Sequence, residues 1–133
     1  MNEYDPKLLP PVDAVEIVDL RRLEANQVSQ YMQIAGGEFS IRRDGESAQP
    51  FADAWRGLVL GESARCHVPP IGFRFIVDAA IYLEASVCWR CNNLIGVQDG
   101  SEISYAFDAE SGPAKKLFSL AQEAIGRNVV GDG

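Results

Sequence analysis

Several features are scarce in this 133-residue sequence, and each scarcity excludes a class of protein. No apolar run approaches the roughly 20 residues of a membrane-spanning helix, so no membrane partner is expected. The 12 Lys and Arg residues are outnumbered by 19 Asp and Glu, giving a net charge of −7. That balance disfavours nucleic-acid binding, because phosphates require a basic face. A glycine-rich phosphate loop, a paired-histidine helix and a nucleophile elbow are also lacking, so no motif specifies a reaction.

Cysteine and histidine are rare as well, yet the three cysteines and the only histidine fall in one stretch: Cys66, His67, Cys88 and Cys91. The N-terminal residues lack the basic and apolar regions of a secretion signal. An odd cysteine count without such a signal predicts a cytoplasmic protein with free or metal-bound thiols.

The Cys88-x-x-Cys91 half of this cluster has the spacing at which a turn brings two sulfurs onto one metal. Asn92 follows it and tolerates the backbone conformations that such a turn needs. In the other half, Cys66 and His67 are adjacent, so they share a metal only at a bend, which Pro69-Pro70 favours.

Two interpretations of the cluster follow. The first is that the thiols are small packing groups near the core and no cofactor is bound. The second is a Cys3His zinc site that uses all four residues. A redox CxxC pair is disfavoured because no helix begins there, and a Cys–His nucleophile is disfavoured because sequence neighbours rarely align for it.

Periodicity predicts one α+β domain, with an antiparallel sheet of about four or five strands and helices packed on one face. Residues 1–12 are expected to form an irregular leader, 13–128 the domain and 129–133 a flexible tail. Whether the N-terminal third joins the same sheet is left open. The strand-like runs are 15–20, which alternates only in part, 39–43, 73–77, 81–87, 94–97 and 103–107.

Turns and helices are predicted from the residues between these runs. Asp99-Gly100 is typical of a type I′ hairpin turn, and Asp78-Ala79-Ala80 of a short turn. Helices are predicted from Pro50, with a stop at Gly61, and after Gly112-Pro113, with a stop near Gly126. A helical stripe from Leu20 to Ala35 follows the first strand-like run, and the same stretch also contains a strand-like alternation over residues 28–34.

The segment from Asn92 to Ala114 carries four carboxylates and no Lys or Arg: Asp99, Glu102, Asp108 and Glu110. These form either a solvated face that aids solubility or a docking surface for a basic protein. Trp89 is either an exposed contact residue or half-buried beside the sheet, whereas Trp55 belongs on the apolar stripe of its helix.

Two runs, 65–75 and 84–93, resemble small uncharacterised bacterial proteins that have a Cys-x-Pro segment, a β-hairpin and a Cys-aromatic-x-Cys turn. The run 107–111 before the closing helix is also similar, and the resemblance covers roughly residues 51–126. It implies no catalytic residue. Small acidic domains of this kind are further similar to immunity proteins that neutralise partner toxins, in size, charge and class rather than in a motif.

We therefore predict a non-enzymatic protein-interaction domain, in its most specific form an immunity-like inhibitor of a basic toxin domain. Its contact residues are the four carboxylates, with Trp89 as an exposed anchor that the partner buries. The alternative is a zinc-stabilised structural module with Cys66, His67, Cys88 and Cys91 as ligands. An enzyme acting through Cys66 or Cys88 ranks third.

Overall fold

The computed structural model describes residues 4–20, 40–64 and 70–126. These residues form an antiparallel sheet with two α-helices, so the predicted α+β class is confirmed. The sheet has six strands, so the predicted count of four or five is wrong. The elements are β1 (Ala14–Asp19), β2 (Ser40–Asp44), α1 (Gln49–Arg56), β3 (Ile71–Val77), β4 (Ala80–Cys88), β5 (Asn93–Gln98), β6 (Ser101–Ala106) and α2 (Gly112–Gly126). The strands lie in the sheet in the order β2-β1-β3-β4-β5-β6.

The N-terminal strand β1 lies inside the sheet, between β2 and β3. Val15 and Ile17 are buried on the helix-facing side, and Ala14 and Val18 are buried on the opposite side. A strand buried on both sides carries a continuous apolar run instead of an alternating one. This is the physical reason why the sequence pattern of β1 alternated only in part. The predicted count was too low because the sequence left open whether the N-terminal third joins the sheet.

The two helices pack on one side of the sheet around a cluster of aromatic rings. Trp55 of α1 is fully buried, as predicted, and its ring centroid lies 5.2 Å from that of Phe75 and 6.1 Å from that of Phe73. Leu117 and Ala121 of α2 belong to the same hydrophobic core. These contacts bury the apolar stripes that predicted both helices.

The end of α1 differs from the prediction. The helix ends at Arg56, and the N–H of Gly57 donates to the carbonyl oxygen of Asp53 at 3.1 Å. The predicted stop at Gly61 is therefore wrong. Beyond Gly57 the chain leaves the helix, and Leu60 pairs with Phe107 just after β6.

Two hairpins are closed by residues with a left-handed backbone. Asp99 and Gly100 have φ values of 47° and 85°, which confirms the predicted turn of the type I′ class. Asp78 and Ala79, between β3 and β4, also have positive φ values, of 54° and 67°. In this turn between β3 and β4, Asp is a residue type that often adopts a positive φ, whereas Ala is not.

Part of the predicted organisation lies outside the described residues, namely the helical stripe from Leu23 to Ala35 and the tail over 129–133. Within the predicted irregular leader, Pro6–Leu8 form a 3-10 helix, and the side chain of Asp5 accepts a hydrogen bond from the Lys7 N–H at 3.0 Å. None of the helices that the structure describes has both the length and the apolar character needed to cross a membrane.

Candidate functional site

The Cys88-x-x-Cys91 segment forms the turn between β4 and β5, hereafter the knuckle (residues 88–92). Both cysteine side chains are fully buried, and the Cys91 N–H donates to Cys88 Sγ at 3.3 Å. Asn92 has a φ of 58°, a left-handed conformation that asparagine tolerates better than most residues. The turn expected from the spacing is therefore present.

The two sulfurs of the knuckle differ in chemical state. Cys88 is a free thiol, whereas Cys91 is disulfide-bonded, which departs from the expectation of free or metal-bound thiols. Zinc binds the thiolate, so Cys91 can serve as a zinc ligand only after reduction.

The remaining predicted ligands, Cys66 and His67, lie outside the described residues. Residues 4–20, 40–64 and 70–126 contain no group of three Cys, His, Asp or Glu side chains that could hold a metal ion. The zinc site with four ligands therefore stays a prediction.

The polar groups of the knuckle are engaged with the chain that passes beside it. The side-chain amides of Asn92 and Asn93 donate to the Glu62 carbonyl oxygen at 3.1 Å and to Ser63 Oγ at 2.9 Å. Asn93 is buried, so these bonds satisfy groups that would otherwise cost free energy. The arrangement fixes the knuckle to residues 62–64 and serves the structure.

Trp89 is half-buried, which is one of the two alternatives that its sequence position allowed. Its ring packs edge-on against Phe73 and Phe107, each at 6.4 Å, and against Phe118 of α2 at 4.7 Å. Its Nε1–H donates to the Ala114 carbonyl oxygen at 2.8 Å. This packing favours a structural role for Trp89, and the partner-binding role stays a prediction.

The four carboxylates singled out in the sequence lie along one border of the molecule. Asp99 stands in the turn before β6, Glu102 on β6, and Asp108 and Glu110 in the connection from β6 to α2. All four residues are exposed. The strand order makes β6 the outermost strand, so the acidic segment borders a sheet edge.

The four carboxylates are not equally free to meet a partner. Asp108 Oδ1 accepts the Glu110 N–H at 2.9 Å, and Glu110 lies 3.4 Å from Lys115 Nζ on α2. Both members of that ion pair are well exposed, so it contributes little to stability but offsets the charge of Glu110. Asp99 and Glu102 have no side-chain hydrogen bond or ion pair among the described residues, and Asp108 has no ion pair there, so these three residues carry the uncompensated charge of this border.

An exposed apolar pair at the end of the same edge was missed from the sequence. Val59 and Leu60 are 42% and 73% exposed. The helix was predicted to run to Gly61, so the sequence did not show that these two residues follow the end of α1. The available signal was that neither continues the stripe of Phe51, Ala54, Trp55 and Leu58.

A second set that sequence analysis missed lies on the sheet face opposite the helices. Glu16 stands directly across from both Arg42 and Arg74, and Arg74 stands across from Glu84. Arg74 Nη1 lies 3.2 Å from Glu16 Oε1, and Arg74 Nε lies 2.6 Å from Glu84 Oε2. The side chain of Arg74 is only 7% exposed, so its charge is used inside the protein. We refer to Arg42, Glu16, Arg74 and Glu84 as the charge row.

A groove of about 660 Å³ lies between the N-terminal end of α1 and the C-terminal half of α2. Its lining includes Phe51 and Leu120 together with Arg43 and Glu123. The two charged side chains have opposite signs, so the groove selects neither an anionic nor a cationic ligand. It supports no ligand class on its own.

Comparison with protein-family models, with curated proteins and with solved structures found no match. The resemblance to small bacterial proteins with a Cys-x-Pro segment therefore stays a prediction.

Proposed function

We propose that this chain is a non-enzymatic protein-interaction domain that binds a basic partner protein along the β6 border. The observation that carries the proposal is the coincidence of exposed carboxylates with exposed apolar side chains at one sheet edge. We name this surface the β6 border and define it by Asp99, Glu102, Asp108, Val59 and Leu60.

The chemistry of the β6 border suits recognition more than catalysis. Carboxylates in water steer a positively charged partner and raise its association rate. Exposed aliphatic side chains next to them offer area that a partner can bury. Leu60 offers more accessible apolar surface than the half-buried Trp89, so we assign it the anchor position.

The most specific form of this proposal is an immunity-like inhibitor that covers the active site of a basic toxin domain. It rests on analogy of size, acidic charge and class. The cytoplasmic location predicted from the sequence belongs to the same hypothesis, and the disulfide at Cys91 argues against it because disulfides are rare in a reducing compartment.

The test begins with a photo-crosslinking amino acid in place of Glu102, with Glu46 as the control position because it is exposed and distant from β6 in sequence. A basic partner captured at position 102 and not at 46 is then purified. The association rate of this partner is then measured with the unmodified chain and with two double variants of equal net charge. The first variant combines Asp99→Asn with Glu102→Lys, and the second combines Glu46→Gln with Glu123→Lys.

We expect the first variant to associate about tenfold more slowly at low salt, and the second to match the unmodified chain. Equal rates for all three proteins, or equal slowing by both variants, would show that the β6 border is not the docking surface.

The zinc-stabilised module is the alternative. The observation that favours it is the hydrogen bond from the Cys91 N–H to Cys88 Sγ at the knuckle. Because Cys91 is oxidised here, the protein should be reduced and purified without added metal before zinc is measured. Close to one equivalent of zinc, with melting lowered by a strong chelator, would support this alternative. Less than about a tenth of an equivalent would exclude it.

A further inference from the structure

Among the described residues, the outer side of the β6 backbone is paired at its C-terminal end alone, next to Gly61. The Phe107 N–H points toward β5, where it donates to the Asn92 carbonyl oxygen at 3.0 Å, while the Ala106 carbonyl oxygen accepts from Gly61 on the other side at 2.9 Å. Backbone groups of successive residues in a strand point to alternate sides. Ser104 and Glu102 therefore direct their N–H and C=O groups away from β5.

Within the part of the chain that the structure describes, no group hydrogen-bonds to the outward backbone of Ser104 or Glu102. Both residues are exposed. The pairing of Leu60 with Phe107 limits this free edge at one end, and the Asp99–Gly100 turn limits it at the other. The gap from Ser101 to Tyr105 accommodates an added strand of about five residues, since a strand rises ~3.4 Å per residue.

The charge of the edge selects its occupant. Glu102 lies on the free edge, Asp99 and Asp108 lie beyond its two ends, and no Lys or Arg occurs between Asn92 and Ala114. A second copy of this chain would bring the same carboxylates against each other without a cation between them. A basic segment would instead gain charge complementarity along the edge.

The two faces at the edge refine the required sequence of that segment. Register places Ile103 and Tyr105 opposite Gly96 and Leu94, on the helix side of the sheet, where both are half-buried against the core. Glu102 lies on the other side. A strand added here would therefore place its basic residues beside Glu102 and its intervening apolar residues beside Ile103 and Tyr105.

We infer that an extended partner segment, with Lys or Arg alternating with apolar residues, adds to β6 as a seventh strand. This inference rests on the proposed function, because it specifies how the basic partner meets the β6 border. It goes further in assigning part of the affinity to main-chain hydrogen bonds at Ser104 and Glu102.

The probe is a synthetic Lys-Val-Lys-Val-Lys-Val-Lys peptide, titrated against isotope-labelled protein and observed by NMR. The control peptide has the same sequence with N-methyl groups on alternate amides, which removes donors without changing charge. We expect the Ser104 amide to become protected from hydrogen exchange on binding, and the methylated peptide to bind at least about tenfold more weakly.

A matched pair of variants of this protein tests the same hydrogen bonds by changing the β6 edge instead of the peptide. Ser104→Pro removes only an outward N–H, which an edge strand tolerates, whereas Ser104→Ala keeps that N–H. We expect about tenfold weaker binding of the unmethylated peptide by Ser104→Pro and unchanged binding by Ser104→Ala.

Strand addition is overturned if the unmethylated peptide fails to bind, or if it binds equally well without the backbone donors. If the methylated peptide and Ser104→Pro bind normally while Glu102→Lys does not, strand addition is wrong but docking of a basic partner stands. If binding is insensitive to Glu102→Lys as well, the proposed function loses its support too. Because the methylated peptide is tested on the unmodified protein, a folding defect in Ser104→Pro leaves the inference testable.

Discussion

The knuckle and the β6 border contain most of the candidate functional residues of this protein. They differ in whether the side chains of those residues are engaged inside the protein or exposed on its surface. At the knuckle, the cysteines are buried and the side chains of Trp89, Asn92 and Asn93 all have hydrogen-bond partners inside the protein. At the β6 border, Glu102 and Leu60 are exposed. The knuckle is thus distinguished by reactive residue types, and the β6 border by exposed side chains that are not engaged inside the described part of the protein. The second property is the one that a partner can use.

The largest expected effect tests whether the knuckle is structural. Trp89→Ala removes three aromatic contacts and the hydrogen bond to Ala114, so we expect the free energy of unfolding to fall by about 3 kcal/mol. Urea unfolding measures the loss. Binding of a basic partner to the folded variant should change by less than about twofold, since Trp89 lies outside the β6 border.

Trp89→Phe is the matched control, because it keeps an aromatic ring in the cluster and loses the N–H donor and part of the indole packing, at a smaller cost than Trp89→Ala. The opposite pattern, with stability retained and partner binding lost in Trp89→Ala, would make Trp89 the exposed anchor predicted from the sequence. The contrast between the two regions would then fail.

An intermediate effect is expected at Gly61, in the segment that joins the two regions. A Cβ atom at Gly61 would lie 2.6 Å from the backbone N of Asp108 and from the carbonyl carbon of Phe107. Gly61→Ala should therefore displace the backbone beside Leu60 and cost about 2 kcal/mol of stability. Gly112→Ala is the control, because a Cβ there would have no neighbour within 4 Å.

Hydrogen exchange at the Asp108 amide, which donates to the Val59 carbonyl oxygen, should become faster in Gly61→Ala and not in Gly112→Ala. Similar stability losses in the two variants would indicate that the segment joining the regions is loosely packed.

The smallest effect at neutral pH is expected for Tyr4, whose ring packs 6.1 Å from Tyr105 on the helix side of β6. Burial raises the pKa of Tyr4 from 10.0 to about 12, although the hydrogen bond from Trp55 Nε1 partly opposes the rise. The unfolded chain releases this proton near its ordinary pKa, while the folded chain retains it until about pH 12. The Tyr4 contribution is therefore complete below pH 10 and is lost as the pH rises toward 12.

The loss should not exceed about 1.4 kcal/mol per pH unit. Urea unfolding across this alkaline range is compared between the unmodified chain and Tyr4→Phe, which cannot titrate. We expect a flatter pH dependence for Tyr4→Phe. Parallel curves would mean that Tyr4 is solvated in the folded protein and does not pack beneath β6.

The elements that were predictable are those whose signal is local. Asp99-Gly100 indicated its turn because few residue pairs adopt two successive positive φ values. The role of Gly61 in allowing close backbone approach could not be predicted, because a glycine that ends a helix and a glycine that permits close approach look alike in sequence. Its neighbours Phe107 and Asp108 are distant along the chain.

The candidate site was predictable only in part for the same reason. Exposure of Asp99 and Glu102 follows from their charge and their position around a turn. The open side of β6 depends on the strand order, which no local pattern states. The exposure of Leu60 depends on where α1 ends, and the packing of Trp89 depends on where α2 crosses the sheet.

The charge row has a consequence for how the sheet finds its alignment. Apolar patterning repeats every two residues, so it penalises a strand that slips by one position but does not distinguish a slip by two. A slip of β1 by two residues against β3 would place Glu16 opposite Gly72 or Ile76 and leave Arg74 without the carboxylate now across from it. Arg74 is nearly fully buried and would keep its contact with Glu84 on β4, but the loss of the second carboxylate, Glu16, would be costly. The charges of Glu16 and Arg74 thus specify the one alignment that hydrophobic residues alone would leave degenerate.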